Sequence, residues 1–451
     1  MGKIFGTDGI RCIVNTEPLT AETTLKISKT VGYLLKSKKS SNSRVIICKD
    51  TRLSGYLYEP LITAGFISMG MEVILVGPLP TPAVPHLMRT LRADIGVMIT
   101  ASHNTYEYNG IKFFNLDGFK ISSKLEKEIE NIVLNKKKYS KILNSNNKTG
   151  KAIRLEDASG RYSEFLKSTL NKNIKTKKLK IVLDCGNGAT YDIAPSIFWE
   201  LGHQVVSINN KPNGKNINYN CGAVNVGSLC KKVVEEKANI GFAFDGDGDR
   251  LIVVDDKGNE IDGDKIIALF AKYLIIGKKT ASKFPVVTTV MSNLGLENFL
   301  LKDLGIKLKR SPVGDINVIE EMKKNKSFLG GEQSGHIILS DFSKTGDGIL
   351  AALKITEIMS IIKKSSSSIF DLYDNLPQIK VNISYKKISE KTKKNIKDLN
   401  KKNRRDKKIR VLIRLSGTEP LIRLLVEGQD LKIVQQKAKN LELEIRNIIG
   451  Q

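Results

Sequence analysis

Cysteine is scarce in this 451-residue chain: there are five, at positions 12, 48, 185, 221 and 230, an odd and scattered set with no Cys-x-x-Cys spacing. That excludes a disulfide framework and a zinc-thiolate cluster and reads as reduced, mostly buried thiols. Aromatic residues are sparse too, at 6% with a single tryptophan. The basic stretches therefore lack interleaved rings on which nucleic-acid bases could stack. No apolar run approaches the ~18 residues of a membrane-spanning helix. Near the N-terminus, Asp8 and Arg11 stand where a signal peptide would place its apolar stretch. The sequence reads as a soluble, cytoplasmic protein with no membrane partner.

Acidic residues are the remaining shortage: 47 Asp and Glu against 73 Lys and Arg give a formal net charge of +26. Most of the excess falls in Lys/Asn/Ser stretches at residues 135–151, 171–180 and 386–408, which read as solvated loops and helix faces. With no helix-turn-helix, RNA-recognition or zinc-finger pattern, nucleic acid is not the expected partner. Otherwise the composition is ordinary for a globular protein, 41% apolar and 27% charged. At one domain per ~150 residues, the length suits about three domains.

Three stretches share one pattern, in which apolar strands alternate with segments of helix length and end in a loop of small and polar residues. The first has strands at 45–48, 73–76 and 95–99 and ends at Thr100-Ala101-Ser102-His103-Asn104. The second has strands at 180–183, 205–208 and 240–244 and ends at Asp245-Gly246-Asp247-Gly248-Asp249-Arg250. The third has strands at 286–290, 306–308 and 327–329 and ends at Gly330-Gly331-Glu332-Gln333-Ser334-Gly335-His336. Continuous apolar strands alternating with helices predict mainly parallel sheets covered on both faces. Ligands collect beyond the carboxyl ends of such strands, so three chemically loaded loops at equivalent places predict one shared cleft. After the serine run 365–368, read as a linker and a mobile joint, strands near 379–385, 408–415 and 421–427 and a helix from Leu431 predict a smaller α+β domain.

Asp245, Asp247 and Asp249 put three carboxylates into five residues, an arrangement that a hard cation neutralises. An EF-hand is excluded, because Arg250 and Asp256 occupy the loop positions that need glycine and glutamate. Three carboxylates with room for a phosphate oxygen suit Mg2+ at a phosphoryl-transfer centre. Ser102 lacks the Gly-x-Ser-x-Gly elbow of a hydrolase. It reads either as a helix cap or as a phosphoryl carrier whose added oxygens complete the metal's coordination. Glu332, Ser334 and His336 alternate in a way that suits sugar hydroxyls. Arg414-Leu415-Ser416-Gly417-Thr418-Glu419-Pro420 joins two strands and reads either as a surface turn or as an anion cradle.

Taken together, five ordered motifs resemble the alpha-D-phosphohexomutases: Phe5-Gly6-Thr7-Asp8-Gly9-Ile10-Arg11, the Ser102 loop, residues 245–250, residues 331–336 and residues 414–420. The resemblance covers essentially the whole chain. It implies a heart-shaped protein of three similar α/β sandwich domains with mixed, mainly parallel sheets and a smaller C-terminal α+β domain around a central cleft. The expected boundaries are 1–155, 156–254, 255–368 and 369–451. Ser102 would carry the phosphoryl group and, with Asp245, Asp247 and Asp249, hold one Mg2+. Arg11, His103, Lys112 and Arg250 would serve catalysis, with Lys112 a candidate acid/base. Glu332 and Ser334 would bind the sugar, and Arg414, Ser416, Gly417 and Thr418 the non-reacting phosphate.

The implied activity interconverts glucosamine 6-phosphate and glucosamine 1-phosphate, feeding amino-sugar and cell-wall precursor synthesis; mannose and glucose phosphates are the alternative substrates. A glucosamine or glucose 1,6-bisphosphate would be intermediate and activator. The partner is a small sugar phosphate, with room for a homodimer. Thr105, Cys12, Asn225 and Ile316-Asn317 depart from the family's usual residues, and the absence of proline at 105 is expected to loosen the Ser102 loop.

Overall fold

The computed structural model describes residues 4–6, 8–36, 43–143, 148–174, 177–275, 284–386, 388–403, 409–416 and 420–450. Four sheets follow one another along the chain. The first contains β1 (Ile10–Ile13), β2 (Arg44–Lys49), β3 (Glu72–Pro78), β4 (Ile95–Ile99), β5 (Tyr108–Phe114) and β6 (Ala152–Arg154), in the order β1-β5-β4-β2-β3-β6. The second contains β7 (Lys180–Asp184), β8 (Gln204–Ile208), β9 (Ile240–Phe244), β10 (Leu251–Val254) and β11 (Glu260–Ile261), ordered β11-β10-β9-β7-β8. The third contains β12 (Val286–Thr289), β13 (Leu308–Ser311), β14 (Leu329–Gly331) and β15 (Ile337–Leu339), ordered β13-β12-β14-β15. The fourth, β16 (Gln378–Ser384), β18 (Leu421–Gly428) and β17 (Ile409–Leu415), is antiparallel throughout.

Each of the first three sheets repeats one device. Parallel strands lead to a central one, β4, β9 or β14, which is buried along its length. The chain then turns through a short loop and returns as an antiparallel neighbour, β5, β10 or β15. The turn is the chemically loaded loop in all three cases. The sheets are therefore mixed, with the hairpin partner added to the expected parallel framework.

The apolar runs pack as their pattern requires. The helix Gly348–Ile362 is mostly apolar and buried from Gly348 to Ser360, and its two buried charges, Lys354 and Glu357, pair with each other at 2.9 Å. It belongs to one core shared by all three units, which includes Met98, Phe242, Val286 and Leu353. The fourth sheet has a core of its own, built from Ile383, Leu424, Val434 and Leu441 against the helix Leu431–Ile449.

Two elements differ from expectation. In the third unit the strands begin later, at Leu308 and Leu329. The serine run is also not a joint: Ser365 caps the helix Ser366–Phe370 by accepting from Ser368 N. The buried Ser366 hydroxyl shares its single proton between Asn239 O at 2.7 Å and Asp256 Oδ1 at 2.9 Å, fastening the run to the second unit. A serine run is as good a helix cap as a linker, and only tertiary partners decide between them. The crossing to the fourth sheet comes later and is polar. Asn293 exchanges hydrogen bonds with the Leu376 backbone, both 3.0 Å, and the buried Glu427 accepts from Leu294 N at 2.8 Å and pairs with Arg410 at 2.5 Å.

Candidate active site

The loops closing the first and second sheets meet at Ser102. Its side chain is buried, and its hydroxyl donates to Asp245 Oδ2 at 2.8 Å. His103 Nδ1 lies 3.4 Å from Ser102 Oγ. Burial, then the Arg250 and Arg11 charges, pushes the His103 ring down to about 4, so it is neutral at neutral pH. Arg11 enters from β1, donating to Asn104 Oδ1 at 3.1 Å and pairing with Asp8 at 2.5 Å.

Asp245, Asp247 and Asp249 are all buried, and each offers an oxygen within 4.8 Å of the others. Asp247 Oδ1 and Asp249 Oδ1 are buried without a hydrogen-bond partner, and a buried orphan acceptor is costly. Desolvation, then the Asp249 and Asp247 charges, raises the Asp245 carboxyl well above its ordinary range. A divalent cation bound by oxygens answers both observations, so the residues present fit Mg2+.

Opposing charges surround the triad. Lys112, on β5, is fully buried and lies 3.0 Å from Asp247, 3.3 Å from Asp8 and 3.6 Å from Asp249. Burial opposes its charge, but the Asp247, Asp8 and Asp249 carboxylates outweigh that and keep Lys112 protonated. Arg250 Nε is buried without a hydrogen bond, 4.0 Å from Asp245 and 3.9 Å from Asp249. Thr81, from the first unit, donates to Asp247 Oδ2 at 2.6 Å.

The third loop joins through the backbone. Arg250 and His336 form an antiparallel bridge, and Leu251 N donates to Gly335 O at 2.9 Å. His336 Nε2 accepts from Gly346 N at 3.1 Å, which turns Nδ1 toward Asp249 Oδ1 at 3.6 Å. Desolvation opposes the His336 charge, but Asp249 more than offsets it and raises the ring. Glu332 Oε1 accepts from Gly314 N at 3.0 Å, and Ser334 is exposed.

Arg414 is half-buried on β17, directly opposite Arg423 on β18, and its Nε has no hydrogen-bond partner. Burial, then the Arg423 charge, lowers its pKa, an imbalance that an anion would relieve. Ser416 N donates to Leu421 O at 2.8 Å. Gly417 and Thr418 lie outside the described residues. The fourth unit reaches the loop of residues 331–336 at Lys380, which donates to Gln333 Oε1 at 3.1 Å.

Several residues that serve this centre were missed from the sequence. Asp8 lies within the first motif, whose pattern gives it no role, yet it binds Arg11, Lys112 and Lys120. Those three charges outweigh its burial and hold its carboxyl well below the usual range. Lys120 continues the chain of charges to Asp315 at 2.5 Å, and nothing in the sequence signals it. Asp50, Thr51 and Arg52 follow the carboxyl end of β2. The rule that ligand sites lie beyond strand ends would have found them had it been applied to every strand rather than only the last of each unit.

Four domain families match the chain in order. They are Phosphoglucomutase/phosphomannomutase, alpha/beta/alpha domain I over residues 2–140, domain II over 160–258, domain III over 262–378, and the C-terminal domain over 378–443. The chain is 47% identical over 447 residues to the phosphoglucosamine mutase of Parvibaculum lavamentivorans, covering 99% of each. The chain belongs to the phosphoglucomutase/phosphomannomutase family. Among solved structures, a phosphoglucomutase/phosphomannomutase family protein from Burkholderia thailandensis superposes with a TM-score of 0.81 at 23% identity, over 99% of this chain and 97% of that one. N-acetylphosphoglucosamine mutase of Aspergillus fumigatus, solved in complex with GlcNAc-6P and magnesium, gives 0.63 at 17% identity, over 100% and 96%. Both share the mutase fold, and the family makes this chain a phosphohexomutase, an intramolecular phosphotransferase.

Proposed function

We propose that this mutase interconverts glucosamine 6-phosphate and glucosamine 1-phosphate. The observation that carries the reading is the buried Ser102 hydroxyl, 2.8 Å from a triad of aspartates with orphaned oxygens, in a chain 47% identical along its length to a phosphoglucosamine mutase. Phosphorylated Ser102 gives its phosphoryl group to the free hydroxyl of the bound sugar phosphate: the Oγ–P bond breaks, a sugar O–P bond forms, and the hydroxyl proton passes to a base in the cleft. The resulting 1,6-bisphosphate turns around, and its other phosphoryl returns to Ser102, so no phosphate is gained or lost. A 1,6-bisphosphate from solution would load Ser102 initially.

Asp245, Asp247 and Asp249, with an oxygen of phosphorylated Ser102, would hold Mg2+. Bound there, the ion supplies Lewis-acid neutralisation of charge on the transferring phosphoryl. The chain's own cations act on the same charge, with Arg250, Lys112 and Arg11 converging on the site. Lys112, held protonated by its three carboxylates, is a proton donor, and the neutral His103 ring beside Ser102 is an acceptor. Glu332 and Ser334 would grip sugar hydroxyls, and Arg414, Ser416, Gly417 and Thr418 the phosphate remote from Ser102.

Assays of glucosamine, mannose and glucose phosphates in parallel test the substrate. Faster turnover of mannose or glucose phosphate than of glucosamine phosphate would reject it. Ser102→Ala and Asp247→Ala are each expected to lose at least about 10³-fold in kcat, with phosphate found on Ser102 of the unaltered enzyme by mass spectrometry.

A further inference from the structure

Ser102 sits at φ 51°, in the left-handed region that a residue with a side chain seldom occupies. Such a conformation persists only where its surroundings over-determine it. Here the surroundings are identifiable. Arg52 lies at the carboxyl end of β2, is 1% exposed, and uses all five of its guanidinium donors. Nε pairs with Asp50 Oδ2 at 2.8 Å. Nη2 donates to Ser102 O at 2.9 Å and Asn104 O at 2.8 Å. Nη1 donates to Thr105 O and, at 3.0 Å, to Tyr108 O. Four carbonyls of the Ser102 loop thus converge on one planar cation.

The second unit supplies an independent grip on the same two oxygens, from the connection between β8 and β9. Asn218 Nδ2 donates to Ser102 O and to Asn104 O, each at 2.8 Å. Asp50 ties the arrangement back to the loop, since it also accepts from Thr100 Oγ1 at 2.7 Å, and that hydroxyl accepts from Ser102 N at 2.8 Å. The bonds that Arg52 and Asn218 make to the Ser102 loop all go to main-chain oxygens and none to the reacting hydroxyl, so the pair fixes where Oγ points without touching it. The metal loop leaves no slack on this side: a Cβ at Gly246 would lie 2.6 Å from Ser102 O and 2.7 Å from Asn218 Nδ2.

We propose that Arg52 and Asn218 are positioning residues for phosphoryl transfer, a two-sided clamp that holds Ser102 in its left-handed conformation with Oγ aimed at the aspartate triad. The inference rests on the mutase reading. With the clamp weakened, the loop relaxes toward ordinary backbone angles and Oγ swings away from Asp245. Binding of the sugar phosphate, which uses other loops, is untouched. Arg52→Lys keeps a cation against Asp50 but offers three donors from one point, too few to span four carbonyls. Asn218→Ala removes the second grip and leaves the Arg52–Asp50 pair intact.

The test uses the full chain with Mg2+. Steady-state kcat and KM are measured on glucosamine 6-phosphate, together with the single-turnover rate at which Ser102 takes phosphate from glucose 1,6-bisphosphate and the thermal midpoint of each variant. Arg52→Lys is expected to lower kcat and the loading rate together, on the order of 100-fold, as for a displacement of about 1 Å at the reacting atom, with KM within about twofold. Asn218→Ala is expected to show a smaller loss in the same direction. If Arg52→Lys does not fold, Asn218→Ala decides alone. Unchanged kcat in either folded variant, or a rise in KM that accounts for the loss in kcat/KM, overturns the clamp. Failure of the unaltered enzyme to load Ser102 overturns the mutase reading, and the clamp with it.

Discussion

A single side chain of this protein can carry a measurable pH signature outside the catalytic centre. His86 stacks on Phe165 with ring centroids 4.2 Å apart, and its Nδ1 is buried without a partner. Burial, then the nearby Arg89 charge, lowers its pKa from 6.5 to about 4. Between those values the unfolded chain binds a proton that the folded chain refuses. The stability contributed by neutral His86 is therefore complete above 6.5 and is lost as the pH falls through about 4. Denaturant unfolding at a series of pH values is expected to show the unaltered protein losing more stability from pH 7 to 4 than His86→Phe does, and parallel curves would rule this out. The same scale shows how far a sequence reaches. Ser102 and the three aspartates were legible because their chemistry lies in a local pattern. Of Arg52 the sequence marks only its place beyond β2, and Asn218, Lys120 and Asp315 carry no mark, because each acts on a partner far away in sequence and no local pattern encodes a carbonyl 50 or 116 residues distant.

Among elements, the repeated plan of strands ending in a loaded loop was legible, since continuous apolar runs punctuated by glycine and acid leave few alternatives. The antiparallel return after each loop was not, because β5 breaks its apolar residues with Asn109, Gly110 and Lys112, β15 is only three residues long, and β10 is as apolar as β9 with nothing to mark its direction. The serine run was misread for a related reason, as its partners Asn239 and Asp256 belong to the second unit. One element meets the loop of residues 331–336 closely enough to be tested. The helix Gly263–Phe270 begins against it, with Gly263 N donating to Gln333 O at 3.0 Å and Asp262, its cap, accepting from Gln333 Nε2 at 3.1 Å. A Cβ at Gly263 would lie 2.1 Å from Glu332 O. Gly263→Ala is expected to cost about 1–3 kcal/mol through overpacking and to raise KM by displacing Glu332. A variant with unaltered thermal midpoint and KM would show that the loop yields freely.

For the whole molecule, the charge of +26 finds a modest place. The catalytic centre balances its ions locally, with aspartates against Lys112, Arg11 and Arg250. Much of the basic excess lies on exposed helices such as Lys136–Leu143 and Glu390–Asn403. Such a field raises the encounter rate of an anionic substrate without altering chemistry. kcat/KM is expected to fall as salt rises from low to physiological strength, by ~10-fold at most, with kcat unchanged. A flat response would show that the surface charge plays no part in capture.

The bridge between Arg250 and His336 also bears on heredity. It joins the backbone of residues 245–250 to that of residues 331–336, its two ends 86 residues apart in sequence, so a change that displaces the backbone of one loop is expected to displace the other. A screen for inactive alleles would then recover changes around His336 that look, in their metal dependence, like damage to the aspartates themselves. Map position along the gene would be a poor guide to which step of the reaction had been lost.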